Sequence, residues 1–446
     1  MNFKKIATEI KDEFIDIIYD SYSKKFYTYE DEKHWANIEG DHIQSHIFRT
    51  RDEVTTPSQS KTVLESIKLL CMLENGESMN NNRNKITLLN GILDIEKFKI
   101  EPHNMGYNST NLINIELTDD DIQRAKDGTV SELLDDAPRL KTYFYGTFHK
   151  DYYKDPDATI ETIQQMAGLC LAPHCKAQKA FFLLGGGSNG KSVFLDLLEA
   201  MLKPENISSI PFSNFSEKFE VMDVCDKLAN ISAESGGLKF SQDASTDVAK
   251  AVITGDRVRS AVKFLNSKEF RPMATLVFSM NHLPEVNDDS YGFIRRIVAL
   301  PFKREIPEAE KITDLDKQII NNELKQFFIF ALGGLIKMHE SSYKNFRMCE
   351  ESKEQTEEYK IMLNPFNDFM KTRIVINENA EMSCKVFQNL YREYLEDTDN
   401  PNNKITSNRI GIKLNGYMKQ YKYNFFKRLK NHKGTESYYK GIATRP

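Results

Sequence analysis

Gly185-Gly186-Gly187-Ser188-Asn189-Gly190-Lys191-Ser192 decides how this chain is read. The stretch fits the pattern G-x-x-x-x-G-K-[ST], and both flanks suit it. Upstream, Ala180-Phe181-Phe182-Leu183-Leu184 is a short apolar run that predicts a buried parallel strand. Downstream, Lys191 to Leu198 carries apolar residues at helical spacing. Glycines between a strand and a helix let backbone N–H groups curl around phosphates that then sit at the helix N-terminus. The stretch Gly185, Gly186, Gly187, Ser188, Asn189, Gly190, Lys191 and Ser192 is therefore the candidate site for ATP. Lys191 is expected to reach the β- and γ-phosphates and the Ser192 hydroxyl to ligate Mg²⁺.

Outward from the loop, apolar strands alternate with helical segments, which predicts an α/β core with a parallel sheet. Strands are expected at 180–184, 228–233, 274–280 and 297–302, with a helix through Val248 to Ile253 that stops at Gly255. Hydrolysis of a nucleoside triphosphate needs a carboxylate to orient water, a metal, and positive charge on the γ-phosphate. Glu234 ends the second of these strands, where ligands gather in open parallel sheets, and is the candidate base and Mg²⁺ partner. Ala233 stands where an acidic neighbour often precedes such a glutamate. Asn281 ends the next strand and could hydrogen-bond the γ-phosphate or the attacking water. Arg295 and Arg296 precede the last strand, and one of them, with Arg296 favoured, could donate charge to a neighbouring subunit's ATP.

The 446 residues are 40% hydrophobic and 28% charged, with no apolar run long enough to cross a membrane. The N-terminus has acidic residues and no continuous apolar core, so a signal peptide is not expected. Cys71, Cys170, Cys175, Cys225, Cys349 and Cys384 are scattered, which suits a reducing cytoplasm. Cys170, His174 and Cys175 form the one metal-like group, with no matching pair elsewhere, so zinc is not expected. The net charge of −5 hides an asymmetry: residues 401–446 carry eleven Lys or Arg against the single acid Glu436. A basic, aromatic-rich tail on an acidic body points to nucleic acid as a partner.

Leu88 to Ile95 reads as a hairpin turning at Asn90-Gly91, and residues 117–136 as an acidic helical connection. Near the C-terminus, Val386 to Tyr394 and Ser407 to Leu414 read as helices, the second capped by Ser407. Tyr421 to Leu429 and Glu436 to Ile442 read as a ribbon turning at Asn431 to Gly434. Helices followed by a ribbon predict a winged-helix-like domain. Arg409, Lys413 and Lys419 would lie on its recognition helix and Lys430 and Lys433 on its wing.

Over roughly residues 85 to 446 this series of motifs resembles the superfamily 3 helicases of the AAA+ class. The resemblance is nearest to the helicase part of phage, plasmid and poxvirus primase-helicases. It is carried by Asn90-Gly91-Ile92-Leu93-Asp94, Gly186 to Ser192, Glu234, Ile253-Thr254-Gly255-Asp256, Asn281-His282-Leu283-Pro284 and Arg295-Arg296-Ile297. It implies a homo-hexameric ring that hydrolyses ATP while moving on single-stranded DNA, typically 3′ to 5′. It also implies a pore hairpin tipped by Lys263 and Phe264, with Lys268 close by. The short form resembles replication initiators of phage satellites and pathogenicity islands, which bind duplex DNA at an origin and act in the bacterial cytoplasm, with loaders or host replication proteins as possible partners.

The expected organisation is an N-terminal α+β domain at 1–85, a hairpin and helical region at 86–154, and a P-loop AAA+ core at 155–345. A linker at 346–365 and the winged-helix-like domain at 366–446 follow. With so short an upstream region and no primase-type acidic cluster, no primer synthesis is expected. An ATP-regulated origin binder that does not unwind DNA is the alternative. A packaging motor ranks last, since the flanks show no nuclease-like cluster of carboxylates.

Overall fold

The computed structural model describes the chain except residues 1, 15, 22, 75–77, 217–219, 234–245, 263–264, 285, 287–290, 399–404, 425, 431–435 and 446. It divides into two compact units, Met1–Pro284 with Arg296–Lys353, and Glu285–Arg295 with Glu354–Pro446.

The first unit begins with α1 (Phe3–Glu13), β1 (Ile17–Asp20), β2 (Lys25–Glu30), β3 (His34–Ile38), α2 (Gly40–Thr50) and α3 (Pro57–Leu70). The three helices bury Ile6, Ile10, Ile43, Ile47, Val63 and Ile67 with Phe26 of the antiparallel sheet β1-β2-β3. Next come β4 (Lys85–Leu88), β5 (Gly91–Asp94), β6 (Lys99–Glu101) and β7 (Leu112–Ile113), which form a sheet in the order β6-β5-β4-β7. Leu88 pairs with Gly91, so the hairpin loop is Leu89-Asn90, one residue earlier than expected. The reason is tertiary. The Asn90 amide brackets Leu117, donating to its carbonyl and accepting from its N–H, while a Cβ on Gly91 would stand 2.6 Å from the Glu101 carbonyl.

Helices α4 (Asp119–Asp127), α5 (Val130–Asp135), α6 (Pro138–Thr147) and α7 (Pro156–Leu171) lead into the core. Thr118 and Thr129 each cap their helix reciprocally with the third residue on, which fixes the two acidic helix starts. The core elements are β8 (Ala180–Leu184), α8 (Lys191–Leu202), β9 (Ile207–Ser208), β10 (Ala229–Ala233) and α9 (Asp247–Thr254). They continue through β11 (Val258–Val262), β12 (Leu265–Phe270), β13 (Thr275–Met280), β14 (Ile297–Pro301) and α11 (Leu315–Glu340), while the short α10 (Tyr291–Ile294) before β14 belongs to the second unit.

Five strands form a parallel sheet in the order β14-β8-β13-β10-β9. β8, β13 and β14 are buried at every residue, as parallel strands covered on both faces must be. The first core strand lies between the last two, so the loop after β8 opens where the chain changes sides of the sheet. That is the position at which open α/β sheets bind ligands. Helix α9 ends on Gly255 at φ 70°, with the Asp256 N–H on the Ala251 carbonyl and the Gly255 N–H on the Val252 carbonyl. This double bond pattern is the helix stop that Ile253-Thr254-Gly255-Asp256 encodes.

The second unit contains most of α12 (Glu350–Leu363), then α13 (Pro365–Arg373), β15 (Ile374–Ser383), α14 (Cys384–Asp397), α15 (Ser407–Gln420), β16 (Lys427–Lys430) and β17 (Ser437–Thr444). Its antiparallel sheet runs β15-β17-β16. An aromatic core of Phe366, Phe369, Phe387, Tyr391, Tyr394 and Tyr439 joins helices to sheet. Thr406, not Ser407, caps α15, accepting from the Arg409 N–H. Ser407 is already the first helical residue, and its hydroxyl accepts from Arg392. The expected turn at Asn431 to Gly434 lies outside the described residues.

Candidate phosphate-binding site

The loop after β8 is built on backbone conformations that glycine supplies. Gly187 has φ 118° and Gly190 φ 85°, and α8 starts directly after Gly190. A Cβ on Gly186 or Gly187 would meet nothing within 4 Å, so this side of the loop is open. Gly185 and Gly190 are closed in. A Cβ on Gly185 would sit 2.0 Å from Asn189 Nδ2, and one on Gly190 would sit 2.7 Å from Thr147 Oγ1. The open glycines face solvent and the closed ones anchor the loop.

Lys191 points back under the loop rather than outward. It is only 8% exposed, and its Nζ donates to the Gly185 carbonyl at 2.5 Å and to Asn189 Oδ1 at 3.1 Å. Both partners are uncharged, and burial alone pushes the Lys191 ammonium below the usual lysine range. Asn189 is itself fixed, its Nδ2 donating to the Phe302 carbonyl at 3.3 Å. Ser192 is exposed on the first turn of α8. An ammonium, two open glycines and a hydroxyl at a helix N-terminus make a donor set suited to phosphate oxygens and to Mg²⁺.

Three contacts that hold the loop had no sequence signal of their own. The Tyr143 hydroxyl donates to the Gly190 carbonyl at 2.9 Å, the Ile306 N–H to the Ser188 carbonyl at 2.8 Å, and the Gly185 N–H to the Met280 carbonyl at 3.2 Å. Tyr143 stands on α6, whose N-terminus is held by the buried Glu323 carboxylate, which accepts from the Arg139 and Leu140 N–H groups. Arg304, just past β14, donates to the Gly146 carbonyl at 2.7 Å and pairs with Glu310 at 2.6 Å.

The other expected site residues fall into separate places. Met280 pairs with Leu184, so Asn281 follows β13 level with the start of the loop, and it is exposed. Arg296 lies at the other end of the sheet: its carbonyl accepts from the Ala180 N–H at 2.8 Å, where β8 begins. Five residues of strand separate that point from the loop, about 16 Å at roughly 3.3 Å per residue. Arg295 is exposed and Arg296 half-buried. Glu234, Lys263, Phe264 and Lys433 lie outside the described residues, and of Lys268 only the backbone, paired with Ser260, is described. On α15, Arg409 and Lys419 are exposed and Lys413 half-buried. Four residues put Arg409 and Lys413 on one face, whereas six turn Lys419 about 120° from Lys413. Lys430 is exposed on β16.

With this geometry in hand, three comparisons locate the chain among known proteins. Residues 183–296 match the model of a family of unknown function (DUF5906). Over 295 residues, 64% of this chain, the sequence is 23% identical to the provisionally named helicase L207/L206 of Acanthamoeba polyphaga mimivirus. That match spans 29% of the mimivirus protein. Among solved structures, the apo C-terminal region of NrS-1 (residues 305–718) aligns with a TM-score of 0.57 at 15% identity over 99% of each chain. An A form of the same region gives 0.54 at 13% identity, again over 99% of both. The chain thus resembles a helicase-named viral protein in sequence and shares the fold of the NrS-1 C-terminal region along nearly its whole length.

The Cys170, His174 and Cys175 group does not gather as ligands. Cys175 lies against the Pro272 and Ala274 carbonyls, and His174 packs edge-on to Tyr343 with its pKa pushed down to about 4 by burial and by Lys176. Among the described residues no cluster of His, Cys, Asp or Glu is arranged to hold a metal ion, and no helix is long and apolar enough to cross a membrane.

Proposed function

We propose that this chain is an ATP-driven, ring-forming DNA helicase of the superfamily 3 class that initiates replication of a mobile genetic element. The observation that carries the reading is Lys191, a buried ammonium with only neutral oxygen partners beneath an open glycine loop. A buried charge without a counter-charge is costly, and the β- and γ-phosphates of ATP would supply one. Mg²⁺, held by Ser192 and Glu234, would neutralise charge developing on the transferred phosphate.

In this reading Lys191, Ser192, Glu234 and Asn281 serve one subunit's pocket, and Arg296 or Arg295 reaches the ATP of the next in a hexamer. The distance between Arg296 and its own loop supports action in trans. Residues 155–345 would form the AAA+ core, supported by the parallel sheet with the loop at the end of an inner strand. The hairpin of β11 and β12 would carry Lys263 and Phe264 against single-stranded DNA, with Lys268 beside them. The order helix, strand, helix, helix, strand, strand in residues 366–446 supports the winged-helix reading, with Arg409, Lys413, Lys419, Lys430 and Lys433 on origin duplex. The similarity to a helicase-named protein supports unwinding over an ATP-gated origin binder.

The test is ATP-dependent unwinding of a forked duplex carrying a single-stranded tail on one side or the other, with Lys191→Ala as control. Unwinding from the 3′-tailed substrate alone, lost in the variant, is expected. Tight, salt-sensitive duplex binding with no unwinding would instead identify an ATP-gated initiator.

A further inference from the structure

Three helices of the second unit turn polar faces into one groove of about 760 Å³, within the ordinary size of a ligand cleft. One wall is the end of α12 and α13, where Asn364 caps α13 by accepting from the Asn367 N–H, and Asn367 and Lys371, four apart, share a helix face. The other is α15, which contributes Lys413, Gly416 and Tyr417, with Tyr421 at its end. Tyr417 and Tyr421 are in ring contact at 4.5 Å, and Tyr421 remains 43% exposed. A Cβ on Gly416 would meet nothing within 4 Å, so a ligand can approach the backbone there.

The charges are sorted within this groove. Glu357 is paired with Lys360, and Asp368 accepts from the Tyr394 hydroxyl at 2.6 Å. The lining acids are thus engaged by protein partners, and Lys371 in the last turn of α13 is exposed. Exposed Tyr421 and Lys371 with the half-buried Asn367 carboxamide are the chemistry of a single-stranded nucleic acid site. Bases stack on the rings, ammonium groups hold phosphates, and carboxamides meet base edges. From Lys413 to the C-cap Tyr421 the chain advances about 12 Å along the α15 axis, room for a short stretch of single strand.

We propose that this groove is a binding site for single-stranded DNA. The inference stands on the groove's own residues, so a chain without ATPase activity would still show it.

The test is binding of fluorescein-labelled dT10 by fluorescence anisotropy, without nucleotide, on the full chain in a Lys263→Ala background that removes the hairpin's proposed contact. Tyr421→Ala is expected to weaken binding about tenfold through lost stacking, and Tyr421→Phe to restore it. Lys371→Glu is expected to weaken binding and flatten its salt dependence. A photo-crosslink from 5-iododeoxyuridine should map to the peptide containing Tyr417 and Tyr421. If Tyr421→Ala and Lys371→Glu both bind dT10 within twofold of the background protein, the groove is not a single-strand site. Unchanged ATPase in the Tyr421→Ala protein without DNA would show that the loss belongs to the groove.

Discussion

Lys191 closes a ring with its own loop, its Nζ on the Gly185 carbonyl at 2.5 Å and on Asn189 Oδ1 at 3.1 Å. The ammonium is desolvated but not neutralised, since neither partner carries charge. Filling the loop with phosphate would exchange those carbonyl contacts for charge-assisted ones. Substitution by methionine keeps the volume and removes the buried charge. Lys191→Met should therefore melt no lower than the wild type without nucleotide. The rise of several degrees expected for the wild type at about 100 times the Kd of ATP, worth roughly 2.7 kcal/mol, should vanish. Differential scanning fluorimetry with and without Mg-ATP reads both. A Lys191→Met protein still stabilised by ATP would remove this lysine from the phosphate site.

Arg296 and Ala180 are neighbours at the wrong end of the sheet for action within one chain. The Arg296 carbonyl bonded to the Ala180 N–H puts the arginine a full strand length from the loop that follows Leu184. If Arg296 completes an ATP site, that site belongs to a second copy. Lys191→Ala and Arg296→Ala should each lack ATPase activity, and a mixture of the two should regain part of it. The recovered activity comes from interfaces that pair an intact loop with an intact arginine. No recovery on mixing, under conditions where subunits exchange, would rule out Arg296 in trans and turn attention to Arg295.

The loop was legible in the sequence because its demands fall on the backbone, and glycine is the residue that answers them. The parallel strands were legible for a related reason: strands covered on both faces must be apolar throughout, as Phe181, Val277 and Val298 are. What could not be read is what depends on distant partners. Tyr143 is tied to Gly190 across 47 residues, and nothing near it in sequence announces the bond. The hairpin loop moved to Leu89-Asn90 because Asn90 holds Leu117, and the cap of α15 moved to Thr406 because the helix starts at Ser407. Arg296 was legible as a residue type, whereas its place at the far end of the sheet needed the parallel pairing.

A glycine within a helix weakens it by roughly 1 kcal/mol relative to alanine. Gly168 on α7 and Gly334 on α11 earn their place at the crossing of the two helices. A Cβ on Gly334 would stand 2.1 Å from the Gln164 carbonyl oxygen, and one on Gly168 would stand 2.4 Å from the Leu335 nitrogen. Both obstacles are backbone and cannot rotate away. Gly334→Ala should therefore destabilise the protein by about 3 kcal/mol despite its better helix propensity, as overpacked cores do. Chemical denaturation gives the value directly. A stabilised Gly334→Ala protein would show that α7 and α11 can move apart at little cost.

His174 provides a pH dependence of definite sign. Its ring is buried against Tyr343, its Nδ1 lies 3.4 Å from the Lys176 N–H, and burial first and then the nearby Lys176, Arg83 and His339 hold its pKa down at about 4. In the unfolded chain the same group titrates near 6.5. The folded state thus binds the proton more weakly. Its contribution is fully present above pH ~6.5 and is lost as the pH falls from there towards about 4, by roughly 3 kcal/mol at most. His174→Phe keeps an aromatic edge against Tyr343 and removes the proton site. The difference in unfolding free energy between the two proteins should then be constant above pH 7 and shift towards the variant between pH 6.5 and pH 4. Denaturant titrations at three or four pH values across that window decide it, and a difference that does not change with pH would mean that His174 takes up its proton equally well in the folded protein.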